Sequence, residues 1–219
     1  MKLKELFIRY TMLIIGVSTM SLGIAFSIKG GLGLSPISCI PYVLSKAYPL
    51  TVGEFTIIFN VLLVLLQIII LRNFNVKLIS EMIVCFVFGY AIDFNLWLIS
   101  FINPAGYIEQ WIVCLLGGFV LALGLCVEIK SRTSMLPGDG AVLVISKVSD
   151  IDFSKVKPMF DVSMVIIAIV LAFLLLGHLD AVREGTLFAA VFVGPIIKFY
   201  NKTFAYKLDE YLIKLSKEL

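Results

Sequence analysis

Charge is scarce in this chain. Only 15% of its 219 residues are Asp, Glu, Lys or Arg, and it has one histidine. A soluble globule could not stay dispersed on so little charge, nor bury the 60% of residues that are hydrophobic. Four cysteines, Cys39, Cys85, Cys114 and Cys126, lie in apolar segments without a Cys-x-x-Cys or any ligand-like spacing. They read as small buried hydrophobes, and with His178 isolated no metal site is expected. No nucleophile with a base, phosphate-binding glycine loop or pair of catalytic acids appears. No enzyme activity and no cofactor are therefore expected.

What the chain has instead is long apolar runs, with a mean hydropathy of +1.05. Windows near the ~20 residues needed to cross ~30 Å of hydrocarbon fall at about Tyr10 to Ile28, Phe55 to Leu71, Leu78 to Ile102, Trp111 to Ile129, Met159 to Leu179 and Thr186 to Phe199. Six spans with the N-terminus inside leave only Lys29, Lys46 and Arg183 outside, out of 18 basic residues. That bias is the one cytoplasmic loops show. It places both termini in the cytoplasm, makes the lipid bilayer the first partner, and accounts for a net charge of +3 without a nucleic acid.

Sliding the chain by 101 positions aligns Arg9–Leu71 with Gln110–Ala172 without a gap. Matches that apolar composition alone would not supply include Gly16 with Gly117, Gly23 with Gly124, Lys29 with Lys130, Pro36 with Pro137, Ser45-Lys46 with Ser146-Lys147 and Phe59 with Phe160. The third spans match only if the offset grows to about 105, pairing Gly89 with Gly194. A duplicated unit of three spans must lie inverted relative to its copy, as in many secondary transporters. The expected architecture is thus all-α and integral to the membrane: a three-span repeat over 1–102, an outer connection over 103–109, a second repeat over 110–202, and a cytoplasmic amphipathic helix over 203–219. Gly16, Gly23, Gly117 and Gly124, spaced by seven in each half, suit close helix packing.

After the first span of each half comes a short element, beginning at Pro36 and at Pro137 and ending at a lysine about ten residues on. Proline suits a first helical turn and lysine a last one. Each half-helix could dip to mid-bilayer as one of a re-entrant pair or lie flat at an interface. The small, apolar approach Gly30 to Ser35 favours burial, whereas Arg132 in the second approach disfavours it.

Polar groups inside spans default to functional hypotheses. Asn60 and Asp161 are repeat equivalents, and the inverted halves would bring them to one site from opposite sides; alternatively Asp161 sits near the cytoplasmic interface and Asn60 bonds a neighbouring helix. Asp139, in Pro137-Gly138-Asp139-Gly140, either caps its half-helix or meets a cationic solute or ion. Asp93, well inside the third span, is expected to face the bundle or a cavity. Arg183-Glu184 could gate the site or form a surface ion pair at a helix start. Glu81 and Glu128 read as interfacial. The candidate substrate-binding set is Ser35, Pro36, Asn60, Asp93, Pro137, Gly138, Asp139 and Asp161, with Arg183 and Glu184 as gate.

Gly31-x-Gly33-x-Ser35-Pro36, Pro137-Gly138-Asp139-Gly140, and Arg183-Glu184-Gly185-Thr186 leading into Gly194-Pro195 resemble the YczE/YyaS/YitT group of small bacterial multispan membrane proteins. The resemblance covers most of the chain and implies a bacterial inner-membrane protein of transporter-like build. The function expected first is a secondary carrier or exporter of a small polar or charged solute, working by alternating access around a midplane site. A bundle this small suits a homodimer. Two other roles fit: a substrate-binding subunit dependent on an energy-coupling partner, and a non-transporting scaffold.

Overall fold

The computed structural model describes residues 3–73, 76–179 and 181–205. Among these residues the chain folds into eight α-helices: α1 (Leu3–Gly30), α2 (Pro36–Ala47), α3 (Val52–Leu71), α4 (Val76–Leu98), α5 (Tyr107–Ser131), α6 (Pro137–Ser149), α7 (Phe153–Leu175) and α8 (Glu184–Tyr200). A π-helical turn, Asn201–Ala205, follows α8. The amphipathic helix expected over 203–219 lies outside the described residues from 206 onward.

α1, α3, α4, α5 and α7 are each long and apolar enough to cross a membrane. Their outer faces expose large side chains such as Ile69, Ile83 and Leu174, a continuous apolar surface suited to lipid and hostile to water. The chain is an all-α integral membrane protein. α8 is not among those five; its 17 residues reach ~25 Å. α7 starts at Phe153 rather than at the expected Met159, which brings Lys155 and Lys157 out of the loop and into the helix.

α2 and α6 begin at the two prolines. The residues before them, Ser35 and Leu136, have nearly identical extended backbones, φ −60 ψ 144 and φ −60 ψ 143, because the proline ring excludes the α region for its predecessor. Both short helices are embedded in the bundle. α2 buries Pro36, Ser38, Cys39, Ile40, Pro41 and Val43, and α6 buries Pro137, Gly138, Gly140, Ala141, Val142 and Val144.

The tightest helix pair is α1 with α5. A Cβ added at Gly23 would lie 2.5 Å from the Leu121 amide nitrogen, and one at Gly124 would lie 2.5 Å from that of Met20. Gly16 faces Gly124 while Gly23 faces Gly117, so the two helices run antiparallel, with glycines two turns apart admitting backbone against backbone.

Two hydrophobic cores result, and each draws on both halves of the chain. One joins Leu13, Val17, Met20 and Ile24 of α1, Val84, Phe88 and Ile92 of α4, and Leu121 of α5, with Val193 of α8 packed on it. The other joins residues of α2, α3, α6 and α7, among them Val43, Leu63, Val142 and Phe160. The packing units therefore cut across the division at residues 103–109. α3 and α4 bridge the cores on one side, where Gly53 backs onto the Gly89 carbonyl. α7 and α8 make no comparable contact.

Gly23→Ala is expected to lower unfolding stability by about 1–3 kcal/mol, as overpacking against rigid backbone does. Gly194→Ala, whose new Cβ meets nothing within 4 Å, should change it by about 0.5 kcal/mol or less. Equilibrium unfolding in detergent micelles compares them, and equal losses would mean that the α1–α5 contact is not close-packed.

Candidate functional site

Between the two cores lies a cavity of about 690 Å³. Its floor is where the half-helices start. Gly138 abuts the Ile37 side chain, so the N-terminal turns of α2 and α6 touch. Their free backbone N–H groups and partial positive charge collect at one place inside the bundle.

Of the residues expected at the site, Ser35, Pro36, Asn60, Gly138, Asp139 and Asp161 line this cavity. The Ser35 and Ser38 hydroxyls are 2.8 Å apart, and the Asn60 Nδ2 donates to the Thr56 carbonyl at 2.9 Å. Pro137 is fully buried behind the lining, and its carbonyl accepts from Gln67 Nε2 at 3.3 Å.

Asp93, Arg183 and Glu184 are not brought to the cavity. The Asp93 carboxylate accepts from the Thr51 hydroxyl at 2.6 Å and from the Gly53 amide at 2.8 Å. It caps the start of α3 and ties α4 to it, which is how an acid this far along the span is satisfied. Arg183 and Glu184 pair with each other at 3.5 Å, and the Arg183 Nη1 donates to the Gly31 carbonyl at 3.0 Å.

Two charged residues join the site that the sequence had placed elsewhere. Lys157, one turn before Asp161 on α7, sets its Nζ 2.9 Å from Asp139 Oδ1 and 3.0 Å from Asp161 Oδ1. One ammonium thus serves carboxylates from α6 and α7, and the three side chains are 23–30% exposed. The i,i+4 spacing of Lys157 and Asp161 was the available signal. Glu128 of α5 is 2% exposed and lines the same cavity. Its Oε1 accepts from the Leu136 amide at 2.7 Å, at the position just before the α6 proline. Its Oε2 is buried without a hydrogen-bond partner.

Each half-helix start is also braced from behind. Gln67 Nε2 donates to Glu81 Oε2 at 2.9 Å, both side chains being fully buried against Gly140. Glu81 is thus enclosed by protein. On the other half, Thr186 Oγ1 accepts from the Leu34 amide at 3.1 Å, and the Gly185 amide donates to the Leu32 carbonyl at 2.7 Å. Gly33 there has φ +113 and lies against Thr186, a conformation and a clearance that a side chain would spoil.

Comparison with known proteins finds a family match over most of the chain. The family model described as "Family of unknown function (DUF6198)" matches residues 7–202. The chain belongs to this family. Among curated proteins it is similar to "Uncharacterized protein YyaS" of Bacillus subtilis (strain 168), 28% identical over 188 residues, covering 85% of this chain and 89% of that protein. It is also similar to "Uncharacterized membrane protein YczE" of the same organism, 26% identical over 199 residues, covering 90% and 86%. These relatives are of the group that its motifs resemble. No solved structure matches the chain. The match to DUF6198 spans every element of the cavity, from α1 to α8.

Lys157→Met removes the one ammonium that Asp139 and Asp161 share. The expected loss is about 1–3 kcal/mol, at the lower end because water reaches all three side chains and screens the charges. Adding Asp139→Asn and Asp161→Asn to that variant should restore most of the loss in thermal unfolding. An unaltered melting temperature for Lys157→Met would show that the triad holds nothing.

Proposed function

We propose that the protein is a carrier of a small polar or charged solute in a bacterial cytoplasmic membrane, built as two inverted repeats and working by alternating access at the cavity between its two cores. α8 is then the sixth span, both termini are cytoplasmic, and α2 and α6 are re-entrant half-helices entering from opposite sides. What carries the reading is a departure from symmetry at one place.

The contacts otherwise recur in pairs under the repeat. α1 and α5, equivalent helices, cross antiparallel through equivalent glycines. α2 packs on α7 as α6 packs on α3, and α1 packs on α4 as α5 packs on α8. Ile37 and Gly138, which touch, are themselves 101 positions apart. The exception is that α3 and α4 are packed together while α7 and α8 stand apart. One end of the cavity is therefore shut at Gly53 and Gly89, and the other is lined by Phe153, Pro158, Gly194 and Ile197 at the ends of α7 and α8. Given the basic-residue bias, the open end is cytoplasmic.

The repeat also supplies a picture of the opposite state. Gly194 corresponds to Gly89 and has nothing within 4 Å, so α7 has room to close on it. The shut end is latched by Asp93 on Thr51 and Gly53. The corresponding residues at the open end are Lys198, Asp152 and Ser154. Asp152 stands at the N-terminus of α7 with no side-chain capping bond, and closure would bring Lys198 toward it. The second latch would be an ion pair where the first is a carboxylate on a hydroxyl and an amide.

Ser35→Cys, in a chain whose four native cysteines are changed to alanine, is the test. With a membrane-impermeant thiol reagent, a carrier should label from both faces of oriented vesicles. Adding Gly194→Leu, which fits the present conformation but obstructs closure, should confine labelling to the cytoplasmic face. Labelling from a single face without the leucine would exclude alternating access by the protein alone, and would favour a binding subunit that needs an energy-coupling partner.

A further inference from the structure

We infer that the solute is a monovalent organic cation with a short apolar body, its ammonium group resting against Glu128 Oε2; this assignment of substrate class rests on the carrier reading above. The charged lining is unbalanced. Glu128, Asp139 and Asp161 face the cavity with Lys157 as their cationic counterpart in the lining. The Lys157 Nζ is already engaged by Asp139 and Asp161. The two half-helix starts contribute roughly half a positive charge each, and with Glu128 ionised the sum falls about one positive charge short of neutrality.

Glu128 localises that deficit. Its Oε1 is used by the Leu136 amide, while Oε2 is buried and without a partner, an arrangement that is costly until a donor arrives. The lining donors Ser35, Ser38, Thr56, Asn60 and Thr186 are already engaged with one another or with backbone carbonyls, and the other walls are apolar. α1 presents Met20 and Ile24, α4 presents Phe88, and α8 presents Ala189 and Val193, with Val182 just before it. An anion would meet three carboxylates, and a neutral solute without a donor would leave Oε2 bare. A lone inorganic cation would leave most of a 690 Å³ space lined with hydrocarbon and unfilled. A charged head with an aliphatic body satisfies both the carboxylate and the walls, the usual division of labour in a small-molecule pocket.

The experiment is thermal unfolding of the purified full-length protein in a non-ionic detergent, at constant ionic strength, with hexylammonium chloride, sodium hexanoate or hexanol. These share a six-carbon chain and differ in head-group charge. Hexylammonium at ten times its Kd should raise the melting temperature by about 3–6 °C, with no rise from hexanoate, hexanol or sodium chloride. Glu128→Gln, which keeps an acceptor for Leu136, should abolish the rise. The inference is overturned if hexanoate or hexanol stabilises as well as hexylammonium, if sodium chloride alone gives the rise, if no compound does, or if Glu128→Gln responds like the parent. Should that variant not fold, the three-way comparison on the native chain decides alone. Two-sided labelling at position 35 with no preference for hexylammonium would leave the carrier standing and remove the substrate class; cation-selective binding with one-sided labelling would do the reverse.

Discussion

The constraint on which the structure depends is that a broken helix inside a membrane bundle exposes backbone groups that lipid cannot satisfy. Two such breaks occur, before Pro36 and before Pro137, and the buried side chains of Thr186, Glu128, Gln67 and Glu81 manage them. Thr186 receives the Leu34 amide and Glu128 receives the Leu136 amide. Gln67 reaches the Pro137 carbonyl while Glu81 holds Gln67. The breaks need cover on every side, and the two cores supply it, with the space left between them becoming the cavity.

This arrangement separates chain order from mechanical grouping. Each core contains helices from both halves, so the packed bodies are α1, α4, α5 and α8 on one side and α2, α3, α6 and α7 on the other. The glycine contact of α1 with α5 joins the first body across the two halves of the chain. In the second body the half-helices fill the corresponding role, each lodged against the long helix of the other half.

The elements legible in the sequence are those with a local cause. Pro36 and Pro137 mark helix starts because ring geometry acts on neighbouring residues alone, and the seven-residue glycine spacing marks a packing face because it follows helical pitch. What was not legible depends on which helix covers which. Lys157 looked like a loop charge because an apolar window discounts a helix's first polar turn, yet α7 begins at Phe153 and carries the lysine to Asp139. Glu128 and Glu81, near the ends of their helices, read as interfacial from position alone, and their contacts with the start of α6 follow from packing that no local pattern records. Asp93 showed the opposite error: its depth along the span suggested the midplane, while the start of α3 was its partner.

The helices that stand apart, α7 and α8, differ from the packed pair α3 and α4 in their prolines. Pro158 lies inside α7 and Pro195 inside α8, whereas α3 and α4 contain none. Each ring deletes one i to i−4 hydrogen bond and leaves a carbonyl unanswered. The bundle is thus stiff along one flank and compliant along the other, and a bending strain applied at the cavity will concentrate in the turns around residues 154–158 and 191–195. The two halves of the chain are in this way unequal in elasticity.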